Sequence, residues 1–280
     1  MAVVSFWSNT KKETGKTSTM AAIATFMGIE HNYRILVIST SYKDNTLYNC
    51  FWEPEKIKKN LGLFGPNTNV AMQSGIEGLN RFIRSNKIAP ETIRDYTRIV
   101  FKDRLDVLLG FDGEEEYVQQ IQEGYPGIID AANKYYDLVF VDVDKNLSKE
   151  IQDQILKISD IVMVTMSQRF SEIDNFNKLK EENDMFKSPK TLLMIGRYDK
   201  FSKYTSKNIT RYLREKNEVS TLPYNTLFFE ACQEAQVADL FLKFRKIKDE
   251  TDRNGFFMKE VRRLSENIIY RLQDLRMRMR

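Results

Sequence analysis

A short segment near the start of the chain has residue types and a spacing suited to binding phosphate. Residues 10–17 read Thr-Lys-Lys-Glu-Thr-Gly-Lys-Thr, after the apolar run 3–7 and before a helix-like stretch at 18–27. In a loop between a strand and a helix, backbone N–H groups at the helix start point at phosphate oxygens. A lysine such as Lys16 neutralises the phosphates, and a hydroxyl such as that of Thr17 ligates Mg²⁺. The sequence therefore predicts a nucleotide site, with Thr10 in place of the first glycine of such loops.

The remaining chain alternates short apolar runs with amphipathic stretches, which is typical of a parallel sheet covered by helices. Most of the apolar runs are continuous, as in central strands buried on both faces. We predict an α/β fold, a doubly wound and mainly parallel sheet with helices on both faces. Strand candidates are residues 2–7, 34–39, 105–110, 137–142, 161–165, 191–196 and 219–222. Helix candidates are residues 17–30, 75–84, 114–134, 149–157, 172–183 and 203–216, with a helix start at Pro90 and an irregular insertion at 52–73.

The last third of the sequence holds helical stretches only, and its end is basic. Apolar residues from Phe257 to Met279 recur at spacings of three and four, which predicts one apolar helix face. Residues 258–280 hold seven basic and three acidic residues, which equals the net charge of +4 of the whole chain. We predict a nucleotide-binding domain over residues 1–250 and a basic amphipathic helix over 251–280. That helix either packs on the domain or contacts an anionic membrane surface.

The composition excludes several classes of protein. With 280 residues, of which 42% are hydrophobic and 29% charged, the chain is globular rather than disordered. No apolar run has the length of a membrane span. Cys50 and Cys232 provide neither a disulfide framework nor the spacing of metal ligands, so reduced cytosolic thiols are expected.

Further short motifs follow the phosphate loop in a fixed order. They are Lys11 five positions before Lys16, then residues 21–24, 33–38, 136–142, 161–165 and 222–225. In this order they resemble the ParA/MinD superfamily of deviant Walker A ATPases, along nearly the whole chain. Residues 6–8, 196–199, 202–204 and 224–231 also resemble its TadZ/CpaE branch, which accompanies tight-adherence (Flp-type) pilus machinery. The resemblance implies that the receiver-like N-terminal domain usual in that branch would be missing here.

The resemblance implies roles for individual residues. Lys11 is the expected signature lysine, which reaches across a dimer to the other subunit's nucleotide, and Lys16 is expected to hold the β- and γ-phosphates. Thr17 is expected to ligate Mg²⁺, and Asp142 to act on it through a bound water. The catalytic residues expected are Lys11 and Asp142, with Asp44 as a further candidate. The nucleotide-binding residues expected for ATP or ADP are Lys11, Lys12, Glu13, Thr14, Gly15, Lys16, Thr17, Ser18, Arg197 and Pro223.

The sequence also departs from the family pattern where catalysis is concerned. Lys12 and Glu13, like Thr10, stand at glycine positions, and a side chain there crowds a tight loop at a cost on the order of 1 kcal/mol. The two aspartates that end the second strand in the family are Ser39 and Ser41 here. Positioning groups contribute roughly 10²–10⁴-fold to such reactions, so we expect hydrolysis to be slow or lost. The glycine expected to sense the γ-phosphate is replaced by Asn146.

These observations favour a dimerising localisation or assembly factor for a pilus or secretion apparatus. It is expected to be cytoplasmic, with recruitment to the inner face of the membrane or the cell pole through its C-terminal helix. One alternative is an active ATPase that segregates DNA, in which surface arginines hold DNA phosphates. Another is a scaffold that dimerises without nucleotide.

Overall fold

The central sheet has eight strands in the part of the chain that the computed structural model describes, residues 1–10, 14–53, 75–84 and 89–278. In chain order the strands are β1 Ala2–Trp7, β2 Ile35–Ser39, β3 Arg98–Phe101, β4 Leu105–Leu108, β5 Leu138–Asp142, β6 Ile161–Met166, β7 Thr191–Tyr198 and β8 Ser220–Pro223.

The strands are ordered β3-β4-β2-β5-β1-β6-β7-β8, and β1 lies between β5 and β6. All neighbouring pairs are parallel except β3 with β4, which is antiparallel. Because parallel strands share one carboxyl edge, the loops that follow β1, β2 and β5 meet on the same side of the sheet. The predicted fold class, a doubly wound and mainly parallel sheet, is confirmed.

Helices cover both faces of this sheet. A hydrophobic cluster on one face includes side chains of α1, α2, α8, α9 and α10, and a cluster on the other face includes side chains of α3 to α7. Three short 3₁₀ helices, Pro90–Tyr96, Glu115–Tyr117 and Asp184–Lys187, complete the described secondary structure. The helices are α1 Lys16–Glu30, α2 Thr46–Asn49, α3 Ile76–Arg84, α4 Val118–Asn133, α5 Lys149–Ile158, α6 Phe170–Glu182, α7 Ser206–Tyr212, α8 Thr226–Ala231, α9 Val237–Phe244 and α10 Arg253–Arg278.

The first strand shows why these segments are continuous apolar runs. Along a strand, successive side chains point to opposite faces of the sheet. In β1, Val3 and Trp7 belong to one hydrophobic cluster, and Val4 and Phe6 belong to the other. Both faces are covered by helices, so both sets of side chains must be apolar.

Several predicted elements need correction. Strand β3 was not predicted, because it has only four residues, which are exposed or half-buried. The helix predicted at 203–216 is the shorter α7, and the one predicted at 114–134 is a 3₁₀ turn followed by α4. The helix start predicted at Pro90 is the beginning of a 3₁₀ helix. Nearly all of the insertion predicted at 52–73 lies outside the described residues.

The long C-terminal helix packs its apolar face on the body of the protein. Helix α10 contacts α1, β6 and β8, and its residues Phe257, Val261, Leu264, Ile268 and Leu272 are buried. The buried carboxylate of Glu260 also accepts a hydrogen bond of 3.1 Å from the Thr221 hydroxyl of β8. Of the two arrangements considered for this helix, the structure has the packed one over these turns. No helix among the described residues combines the length and apolarity required to cross a membrane.

The two cysteines are 182 positions apart in sequence but meet in the fold. Both thiols are free and buried, Cys50 directly after α2 and Cys232 directly after α8. A hydrogen bond with Cys232 and burial raise the pKa of the Cys50 thiol well above its usual value. The backbone N–H of Val237 donates to the Cys50 carbonyl at 3.2 Å, so the two segments are joined by main-chain contact as well.

Candidate functional site

The loop after β1 leads directly into the first turn of α1. Gly15 is the residue before the helix and has a φ of 78°, a left-handed conformation that favours glycine. The Ser18 hydroxyl donates to the Gly15 carbonyl at 3.1 Å. The predicted residues Lys11, Lys12 and Glu13 lie outside the described part of the chain, so their roles remain predictions.

Lys16, Thr17 and Asp142 form one contact group at the start of α1. The Lys16 ammonium lies 2.5 Å from Asp142 Oδ1, and the Thr17 hydroxyl donates to Asp142 Oδ2 at 2.6 Å. The ammonium also donates to the carbonyl oxygen of Val143. Asp142 is the last residue of β5 and pairs in register with Phe6 of β1, which brings it beside the loop that follows β1. The fold thus joins three residues that the sequence predicted as a set.

A cavity of about 500 Å³ opens above this group at the carboxyl edge of the sheet. Eight of the predicted site residues contribute to its wall: Thr14, Gly15, Lys16, Thr17, Ser18, Asp44, Asp142 and Arg197. Its other described lining residues are Ser8, Thr10, Ser41, Thr46, Val143, Asp144, Lys145, Asn146, Phe229 and Gln233.

Strand β7 closes one side of the cavity by a close backbone approach. A Cβ atom on Gly196 would lie 2.2 Å from the carbonyl oxygen of Thr14, so only glycine fits there. Arg197 follows with a φ of 51°, and its guanidinium lies 5.9 Å from the centre of the Phe229 ring. Pro223, also predicted to bind nucleotide, ends β8 beside Tyr198 and does not belong to the described cavity wall.

The end of β2 carries hydroxyl groups next to the acid of β5. The side-chain oxygens of Ser39 and Ser41 lie 2.7 Å apart, and both residues are buried. Asp44, the further catalytic candidate, accepts a hydrogen bond of 2.7 Å from the Thr46 backbone N–H. Its carboxylate therefore fixes the start of α2, although the residue also lines the cavity.

Several lining residues were not predicted as part of the site. Lys145 follows β5 by three positions, and the shared carboxyl edge of parallel strands is a signal that could have identified it. Phe229 belongs to a segment of aromatic residues that is also typical of a core or a subunit interface, and it is 42% exposed beside Arg197. Gln233 lies in the turn after α8, and its sequence context contains no signal of a site.

The residues present fit a nucleotide phosphate with Mg²⁺. The left-handed Gly15 and the absent side chain of Gly196 leave room for a tight loop, since a Cβ at either position would approach a neighbour within 3.4 Å. Lys16 supplies the cation that phosphate requires, and Thr17 with Asp142 supplies the oxygen atoms that Mg²⁺ prefers. When bound, the metal would screen the phosphate charges.

Lys16 and Thr17 at the start of the first helix, with Asp142 at the end of the adjacent strand, have the arrangement of a P-loop phosphate site. No protein-family model and no curated protein sequence matches the chain.

Solved structures do match it. A ParA family ATPase from Chlorobium tepidum superposes with a TM-score of 0.69 at 15% identity, covering 94% of this chain and 97% of its own. The septum site-determining protein MinD from Pyrococcus horikoshii, complexed with Mg-ADP, superposes with a TM-score of 0.63 at 14% identity, covering 96% of this chain and 98% of its own. A putative plasmid partition protein from Borrelia burgdorferi, bound to AMPPNP, superposes with a TM-score of 0.58 at 16% identity, covering 100% of this chain and 99% of its own. At these identities the likeness establishes a common fold.

Proposed function

We propose that this protein is a ParA/MinD-like nucleotide-binding protein in which ATP hydrolysis is slow or lost. The observation that carries this proposal is the contrast between two neighbouring strand ends. At the end of β5, Asp142 contacts both Lys16 and Thr17, as a phosphate and Mg²⁺ site requires. Beyond β2, where an acid is needed to position the attacking water, Ser39 and Ser41 bond to each other. Among the described residues, the groups expected to bind phosphate and Mg²⁺ are in contact, whereas two hydroxyls stand where the family pattern has aspartates.

The experiment measures binding and turnover separately. Purified protein is titrated with Mg-ATP and Mg-ADP by calorimetry, and phosphate release is followed over hours. We expect saturable binding with release slower than one turnover per minute, and we expect Lys16→Ala to abolish binding. Rapid release that depends on Lys16 would overturn the slow-hydrolysis part, and the absence of binding in the wild type would overturn the whole proposal.

The same proposal makes the protein a dimer that responds to nucleotide. The segments that follow β7 and β8 carry exposed apolar side chains, of which Phe229 lines the cavity and contacts Tyr224: Phe201, Tyr224, Leu227 and Phe229. Exposed apolar groups of this kind support association with another protein surface. Sedimentation velocity with no nucleotide, with ADP and with ATP tests this. A mass that is the same in all three conditions would favour the scaffold that dimerises without nucleotide.

The cellular role proposed is the localisation or assembly of a pilus or secretion apparatus. Its support is the resemblance of residues 6–8, 196–199, 202–204 and 224–231 to the TadZ/CpaE branch. The location proposed is the cytoplasm, with recruitment to the inner face of the membrane or to the cell pole. A fluorescent fusion imaged with and without the pilus genes tests this, and a diffuse signal that does not depend on them would contradict it.

The alternative of DNA segregation has one supporting observation, the fold shared with a plasmid partition protein. The C-terminal arginines give it little support, because Arg271 and Arg276 donate to backbone carbonyls of Pro189 and Met1. Arg278 pairs with Asp274 at 3.0 Å. Retention of unrelated DNA in a mobility shift at low salt, lost at high salt, would favour this alternative.

A further inference from the structure

Lys145 holds a position between two loops of the cavity. It lies in the connection from β5 to α5, it lines the cavity, and its ammonium donates to the carbonyl oxygen of Asn9. Asn9 belongs to the loop that follows β1 and precedes α1. One lysine thus brings a positive charge to the place where the loops after β1 and β5 meet.

The backbone around Lys145 is fixed from two sides. The Asp144 N–H donates to the Thr40 hydroxyl at 2.8 Å, and that hydroxyl donates to the Asp142 carbonyl at 2.9 Å. On the other side, Gln152 donates to the Leu147 carbonyl at 2.8 Å. The indole N–H of Trp7, in turn, donates to the Gln152 side chain at 2.9 Å. Strands β1 and β2 and helix α5 therefore determine where the Lys145 side chain begins.

The strand order places two basic residues of the cavity wall on opposite sides of β1. Lys145 follows β5, on one side of β1, whereas Arg197 belongs to β7, on the other side. Phe229, which lines the cavity, lies on the Arg197 side, where an exposed aromatic ring suits a base. With its β- and γ-phosphates held at the start of α1 by Lys16, a nucleotide whose base lies beside Phe229 would have its last phosphate toward Lys145.

The backbone amide expected to sense the last phosphate has another partner. The resemblance places a phosphate-sensing glycine at Asn146, but the Asn146 N–H donates to Asp144 Oδ1 at 2.6 Å. That amide is engaged in a turn of its own loop. A side-chain cation one residue earlier is positioned to take over the task.

We propose that Lys145 makes the site discriminate a nucleoside triphosphate from a diphosphate, by exchanging its contact with Asn9 for one with the terminal phosphate. This exchange loosens the link between the two loops and so reports the third phosphate to the segment leading into α5. The inference rests on the proposed function, because it needs a nucleotide in the cavity.

The test compares ATP and ADP affinities of four proteins by calorimetry in Mg²⁺. They are the wild type, Lys145→Gln, Lys145→Arg and the control Lys149→Gln, which removes an exposed lysine from the start of α5. We expect Lys145→Gln to weaken ATP binding about tenfold and ADP binding less than twofold, because a charged hydrogen bond is lost only with ATP. Lys145→Arg should retain most of the discrimination, and Lys149→Gln all of it.

The outcomes separate this inference from the proposed function. Equal losses for ATP and ADP in Lys145→Gln would assign Lys145 a structural role and overturn the inference alone. Unchanged discrimination would do the same. A wild type that binds neither nucleotide would overturn both. Melting temperatures of the four proteins without nucleotide check that the folded state is intact.

Discussion

Gly196 of β7 and Thr14 of the phosphate loop are in direct backbone contact, since a Cβ atom on Gly196 would lie 2.2 Å from the Thr14 carbonyl oxygen. Gly196→Ala must therefore displace the loop or the strand. We expect a loss of about 1–3 kcal/mol in the free energy of unfolding and at least tenfold weaker binding of Mg-ADP. Urea denaturation and calorimetry measure the two effects.

Gly28→Ala is the matched comparison for that variant. Gly28 lies within helix α1 and does not line the cavity. The added Cβ would lie 3.3 Å from the Leu105 side chain. Its nucleotide affinity should equal that of the wild type. Equal affinities for Gly196→Ala and Gly28→Ala would show that the approach of β7 does not shape the loop.

The ion pair of Lys16 with Asp142 predicts a specific pattern of stability. Lys16→Met leaves the buried Asp142 carboxylate with the Thr17 hydroxyl but without its cation. We expect the free energy of unfolding to fall by about 2–3 kcal/mol. This is less than for a fully buried ion pair, because the Thr17 hydroxyl still donates a hydrogen bond to the carboxylate. Lys16→Met combined with Asp142→Asn should recover most of that loss without recovering nucleotide binding.

A double-mutant cycle in urea measures the coupling between the two residues. A double variant as unstable as Lys16→Met alone would contradict the interpretation that the uncompensated carboxylate causes the loss.

The absent acid at the end of β2 can be supplied by substitution. Ser41 lines the cavity, so Ser41→Asp places a carboxylate at one of the two positions where the resemblance expects the water-positioning acid. We expect phosphate release to rise by about tenfold or more, a small part of what positioning groups contribute. Ser41→Asn has the same size without the charge and should stay at the wild-type rate. Equal rates for the two variants would show that a missing acid does not limit turnover.

The buried carboxylate of Asp106 predicts a pH dependence of stability. Burial raises its pKa above the ordinary value, and the hydrogen bond of 2.8 Å from the Tyr136 hydroxyl opposes this only in part. The folded state thus keeps a proton at a pH where the unfolded chain has lost it, so stability falls as the pH rises from about 4, the unfolded value, through the folded value.

Asp106→Asn carries no titrating proton and should lack this decrease. Urea unfolding of both proteins between about pH 4 and 7 checks it, with the variant gaining stability relative to the wild type as the pH rises. Parallel curves would show that Asp106 does not titrate differently in the two states.

The sequence was sufficient for the fold class and for the centre of the site. The loop with Lys16 and Thr17 follows one buried apolar run, and Asp142 ends another. Because parallel strands share one carboxyl edge, these positions alone predict that the three residues lie close together. The order of the strands could not be predicted, because buried runs such as β1 and β5 are both mainly apolar and carry no signal of which strands they pair with.

Other features depend on contacts between distant segments. The engagement of Asp44 with the Thr46 amide is a matter of side-chain orientation, and the meeting of Cys50 with Cys232 depends on how α2 and α8 pack. Strand β3 was not predicted because it is a short edge strand. Its residues Arg98 and Ile99 are exposed, so the segment lacks the continuous buried run of the central strands.

That edge limits how copies of the protein can associate. Strand β3 has a register shift between Ile99 and Phe101 and carries the charged Arg98, two features that oppose the addition of another strand. A shared sheet running through two subunits is therefore disfavoured at β3. A symmetric pair formed at this edge would have to meet through side chains or loops rather than through paired strands.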